Sequence, residues 1–135
     1  MAREKRSSCP ISFALDLFGD KWSLLILRDI IFKDKKTYND FLNSEESIST
    51  NILAERLERL KHEGFIRGQT DKVDKKKTLY APTDKALDLI PVILEIIEWS
   101  AKYDVNTGAP KEFLRELKKD RKQLRAFNSG FNCGI

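Results

Sequence analysis

The sequence predicts a mainly helical α+β fold, on three observations. Apolar residues recur at helical spacing through most of the chain, in segments opened by a capping residue or a proline and closed by glycine, proline or a polar turn. One interval breaks that period: Phe65-Ile66-Arg67-Gly68-Gln69-Thr70 and Thr78-Leu79-Tyr80-Ala81 read as two short strands around the charged run 71–77. The helix before this hairpin follows a shorter helix across a polar turn, which is the helix-turn-helix order. A hairpin directly after such a pair makes a winged helix-turn-helix, here flanked by N- and C-terminal helices suited to dimerisation.

Each element has its own local reason. Residues 1–8 carry Arg3, Lys5 and Arg6 and read as a flexible basic arm. Pro10 suits the first position of a helix and leaves Cys9 at its cap; Ile11, Ala14, Leu15 and Phe18 form the expected apolar face, and Gly19 ends it. Asp20 caps a second helix, Lys21 to Phe32, which is apolar almost all round and is therefore expected at the centre. Thr37 and Asp40 resemble a capping box, with Asp where Glu or Gln is usual, opening a short helix with Tyr38, Phe41 and Leu42. After the turn 43–47, Ser49 is a good N-cap, Ile48 and Leu53 can staple the first turn, and Gly64 supplies the left-handed stop. Ile52, Leu53, Leu57 and Leu60 give that helix one apolar stripe. Beyond the hairpin, Thr83 is expected to cap a long helix from Asp84 to Tyr103, with Pro91 kinking or breaking it. Residues 9–104 form one winged helix-turn-helix domain with its dimerisation helices; 105–127 are a linker and a C-terminal helix from Lys111 to Phe127; 128–135 are a flexible tail.

Composition narrows the class of function. With 135 residues the chain is long enough for one domain with a core, and 34% charged against 41% hydrophobic residues fits a folded protein. A net charge of +4 is compatible with nucleic acid. Cys9 and Cys133 are the only cysteines, too few for a disulfide scaffold, and no C-x-x-C occurs. The opening Met-Ala-Arg-Glu-Lys-Arg is not followed by an apolar run, and no stretch nears the roughly 18 apolar residues of a membrane span. A cytoplasmic protein without a signal peptide or membrane contact is expected. His62 is the single histidine, and no phosphate-loop or dinucleotide fingerprint is present. No catalytic residue, metal or cofactor is therefore expected.

The candidate sites follow from the elements. Ser49, Thr50, Asn51, Ala54, Glu55, Arg56 and Arg59 are the DNA-facing candidates of the second helix of the pair. Asn51 carries the donor and acceptor that match an adenine edge, and Ala54 fits a thymine methyl. Arg56 and Arg59 should hold phosphates or the fold. Glu55 can accept from a cytosine amino group or bridge to Arg59 four residues on, the second being favoured. Lys72, Lys75, Lys76 and Lys77 make a hairpin tip that binds phosphate by charge. Arg28, within the central helix, should form a structural ion pair with Asp29 or Glu63. Cys9 at a helix N-terminus sits where the helix dipole stabilises negative charge, so it is the candidate sensor thiol, with Cys133 as a resolving partner. Ile11, Ile93, Ile96, Ile97, Trp99 and Tyr103 are the expected dimer interface, because a winged-helix core covers only one side of the long helix.

Several motifs stand together in an order that resembles a known family. These are Cys9-Pro10 opening a helix, Asp20-Lys21-Trp22-Ser23-Leu24-Leu25-Ile26-Leu27-Arg28-Asp29, Ile48-Ser49, Leu53-x-x-Arg56-Leu57-x-x-Leu60, Glu63-Gly64-Phe65-Ile66 and Tyr80-Ala81-Pro82-Thr83. The chain from Ser8 to Tyr103 resembles HxlR-type transcriptional regulators, winged-helix relatives of the MarR group. The resemblance implies a homodimer on a palindromic double-stranded DNA operator, answering to a small-molecule or oxidant effector, and some members sense through the cysteine matching Cys9. Glu55 and Glu58 on the outward face and the extension from Pro110 to Ile135 depart from the family pattern. Those two glutamates are also the best support for the alternative, a winged-helix protein–protein adaptor without DNA binding.

Overall fold

The computed structural model of the chain describes residues 5–104 and residue 106. In order they form α1 (Pro10–Phe18), α2 (Ser23–Phe32), α3 (Tyr38–Leu42), α4 (Thr50–His62), β1 (Ile66–Thr70), β2 (Thr78–Pro82), α5 (Asp84–Leu87) and α6 (Ile90–Tyr103). This is a winged helix-turn-helix: α3 and α4 are the helix pair and β1–β2 the wing. Among the described residues no helix is long and apolar enough to cross a membrane.

The helix ends carry the chemistry expected of them. Cys9 is the extended N-cap of α1, with Pro10 in the first turn. The carboxylate of Asp20 accepts from the backbone N–H of Trp22 and Ser23, at 3.0 and 3.1 Å, but α2 opens two residues later than expected, at Ser23 with Trp22 at the N-cap position, so Asp20 holds the turn ahead of the helix. Thr37 and Asp40 form a complete capping box, each side chain accepting from the other's backbone N–H. Ser49 Oγ accepts from the backbone N–H of Ile52 at 3.3 Å, and Gly64 takes φ +83° beyond the end of α4. An L-residue at Gly64 would be strained by that left-handed backbone. The wing is a single antiparallel pair with Ile66 opposite Pro82, Gly68 opposite Tyr80 and Thr70 opposite Thr78.

One core joins these parts. Ile26, Leu27, Ile30, Ile31 and Phe32 of α2 lie at its centre, against Phe41, the Leu53–Leu57–Leu60 stripe of α4, Phe65 and Ile66, and Ile90, Ile93, Leu94 and Ile97 of α6. Each such side chain contributes about 1.5–3 kcal/mol by leaving water.

Three expectations are corrected. The apolar face expected of α1 is only partly covered by the core: Phe18 packs against it and Leu17, outside the expected face, is the buried residue, while Ile11, Phe13 and Leu15 stand exposed. Apolar residues occupy more than one side of this helix, so spacing selects a stripe without telling which one meets the core. The helix expected from Asp84 to Tyr103 does not run through: of the kink or break expected at Pro91 the break is found, between Leu87 and Ile90, and Pro91 stands in the first turn of α6, where its missing N–H leaves no bond unmade. Thr83 is an N-cap by position only; its hydroxyl donates backwards to the carbonyls of Gly64 and Phe65, at 2.5 and 3.1 Å.

Candidate nucleic-acid interface

The site is built on α4. Its apolar stripe is buried, which leaves Ser49, Thr50, Asn51, Ala54, Glu55 and Glu58 exposed on the other side. Tyr38 of α3 donates its hydroxyl to the Thr50 carbonyl at 3.0 Å and so ties the helix pair together at the first turn of α4. Thr37, Tyr38 and Asn39 share an open recess with Lys76, Lys77 and Thr78. The base of the wing tip therefore lies on the same flank as that first turn. Lys72, Lys75, Lys76 and Lys77 are all exposed. The tip has fixed geometry: Asp71 and Asp74 side chains accept from the backbone N–H of Val73 and Lys76, at 2.9 and 3.1 Å, and the Asp71 N–H donates to the Lys77 carbonyl at 2.9 Å. These bonds hold the turn on which the four lysines stand.

Arg56 and Arg59, expected at phosphate or within the fold, point to the fold. Arg56 Nε and Arg59 Nη2 each donate to the Asp20 carboxylate at 2.8 Å. Glu55 contacts Arg56 and lies 4.0 Å from Arg59, the expected bridge four residues on. Burial alone would raise the Asp20 carboxyl, but hydrogen bonds from Ser23, Arg56 and the backbone of Trp22 and Ser23 outweigh it and hold the group well below the usual carboxylate range.

The turn ahead of α4 is held by a second ion cluster. Arg28 is paired with Asp29 as expected, at 2.9 and 2.8 Å from its Oδ1, but its other partner is Glu46 and not Glu63. Both Glu46 oxygens accept from the guanidinium, at 2.8 and 2.9 Å. That bond, with Arg28's charge, lowers the Glu46 carboxyl to about 2. Ser44 Oγ donates to Asp29 at 2.5 Å and accepts from Lys35 Nζ at 2.9 Å. At the other end of α4, Lys85 Nζ donates to the Glu63 carbonyl at 2.6 Å and lies over the Phe65 ring. Sequence reasoning missed Glu46, Ser44, Lys35 and Lys85. A carboxylate in a polar turn looks solvated in sequence, and its partner is 18 residues away.

The expected dimer residues divide. Ile93 and Ile97 are 6% and 5% exposed and belong to the chain's own core. Ile11, Ile96, Trp99 and Tyr103 are exposed, as are Phe13, Leu15 and Val92, and the Trp99 and Tyr103 rings stack with centroids 5.1 Å apart. Cys9 is exposed at the N-terminus of α1. Cys133, the C-terminal helix from Lys111 to Phe127, the tail 128–135 and Arg3 of the basic arm lie outside the described residues.

Comparison with known proteins agrees with this geometry. The HxlR-like helix-turn-helix family model matches residues 17–107. An uncharacterized HTH-type transcriptional regulator of Bacillus subtilis, YdeP, is 33% identical over 95 residues, covering 70% of this chain and 73% of its own. The crystal structure of PA1607 superposes with a TM-score of 0.67 at 34% identity, over 74% of this chain and 68% of that one. The redox regulator HypR in its oxidized form superposes with a TM-score of 0.62 at 28% identity, over 70% of this chain and 96% of that one.

Proposed function

The chain belongs to the HxlR-like helix-turn-helix family of transcriptional regulators, and from that membership we propose that it acts as a homodimer reading a palindromic duplex operator. The observation that carries this reading is the shared flank of the exposed first turn of α4 and the lysine tip of the wing, joined through Tyr38. Thr50, Asn51 and Ala54 read base edges in the major groove, with Ser49 at the helix entrance and Glu55 beside them engaged with Arg56 and Arg59. Lys72, Lys75, Lys76 and Lys77 hold phosphate and set the register without reading sequence. Residues 9–104 are the binding and dimerising unit, and the exposed faces of α1 and α6 meet those of a second copy. No catalytic step is assigned to any residue.

Regulation runs through Cys9. Its exposure at the N-terminus of α1, beside the expected dimer face, supports an oxidant-responsive thiol, and the structural neighbour HypR is named a redox regulator. Cys9→Ser should bind operator as the parent does and lose any response to diamide, read by gel shift. A variant that still responds like the parent removes Cys9 as the sensor.

A further inference from the structure

Asp20 is where three parts of the chain meet. It lies in the link between α1 and α2, and its carboxylate takes 2.8 Å hydrogen bonds from both Arg56 and Arg59 on α4. The same carboxylate accepts from Ser23 Oγ at 2.5 Å and from two backbone N–H groups at the start of α2. Glu55 faces the two arginines from the other side. Two guanidiniums of α4 are thus matched by two carboxylates, Glu55 on the same helix and Asp20 in the α1–α2 link. The arginine side chains are only 21% and 24% exposed, so their heads are largely inside this cluster and yet close to solvent.

That arrangement has a consequence for recognition. A guanidinium is the side chain best suited to phosphate, which it grips with two parallel bonds. Two unrestrained arginines on α4 would strengthen binding to every duplex, because phosphate contacts carry no sequence information. We propose that Asp20 is a specificity-determining positioning residue, which withholds Arg56 and Arg59 from phosphate and fixes α4 against the α1–α2 link. Discrimination then rests on Thr50, Asn51 and Ala54. The link follows directly from α1, whose N-cap is Cys9 and whose exposed face is an expected dimer contact. A shift of α1 would therefore reach α4 through this carboxylate. The proposal rests on the DNA-binding reading above.

The test compares the site that the wild type selects from random duplexes with a scrambled duplex of equal length, each titrated across a salt series by fluorescence anisotropy. Asp20→Asn keeps an acceptor for the Trp22 and Ser23 N–H groups while removing the charge. It is expected to bind the scrambled duplex about tenfold more tightly, with a log–log salt slope steeper by about 0.9 for each arginine that reaches phosphate. The ratio of selected-site to scrambled affinity should fall by a similar factor. Arg56→Gln combined with Arg59→Gln should cancel that gain in the Asp20→Asn background and leave the slope unaltered in the wild type. An Asp20→Asn protein that weakens on both duplexes equally, with an unchanged slope, overturns the proposal. Should Asp20→Asn lose cooperative unfolding, the double arginine variant decides: an unchanged slope supports withholding, and a flatter one overturns it. A wild type without salt-dependent DNA affinity overturns the DNA-binding reading itself, whereas a salt-dependent wild type with an unresponsive Asp20→Asn overturns only the role of Asp20.

Discussion

Asn51 stands exposed in the first turn of α4, and its amide offers one donor and one acceptor in the spacing of an adenine edge. Asn51→Ala should cost about 1–3 kcal/mol on the selected operator and change the preferred base at one symmetric pair of positions. Scrambled DNA should bind as before, and an equal loss on both duplexes would remove Asn51 as a base reader. Residues such as this one were legible in the sequence because a capped helix fixes which side chains share a face. Ion partners were less so. Arg28 pointed to Asp29 or Glu63; its bond to Glu46 forms only when the turn between α3 and α4 folds back over α2. Asp20 was legible as a cap, a local role, while its two arginines come from 36 and 39 residues away.

Among the elements, the wing has the simplest expected effect. Replacing Lys75, Lys76 and Lys77 with Ala should weaken binding to every duplex alike and flatten the log–log salt slope by about 0.9 for each phosphate that is no longer neutralised. An unchanged slope would place the wing away from DNA. The outer face of α6 calls for a different measurement. Trp99 is 65% exposed in the chain, so Trp99→Lys should leave the fold intact and yield a monomer in sedimentation. A wild-type dimer in that variant would take this face out of the interface. Ile97→Lys separates the two effects: at 5% exposure the new charge is buried without a partner, and cooperative unfolding should be lost at a cost of several kcal/mol. The same contrast marks the limit of sequence reading. Capping chemistry placed both ends of α4 and proline placed the break near Pro91, since these depend on neighbouring residues. Which sides of α1 and α6 meet the core depends on packing between distant helices, and periodicity around a largely apolar helix does not specify it.

At the scale of the whole molecule, the described chain buries one side of α1 and α6 and leaves Ile11, Phe13, Leu15, Val92, Ile96, Trp99 and Tyr103 exposed. In the proposed dimer a two-fold copy would cover this face with itself and would carry two α4 helices to successive major grooves on one side of a duplex, roughly 34 Å apart. Symmetric proteins of this kind select symmetric sites, so the order of the bases recovered reports directly on the assembly. The most direct measurement is selection of bound fragments from random duplex DNA by the wild-type protein. The account predicts an inverted repeat with half-site centres about one helical turn apart. Recovery of fragments with no shared sequence would contradict it, and would leave the protein–protein adaptor as the reading of this winged helix.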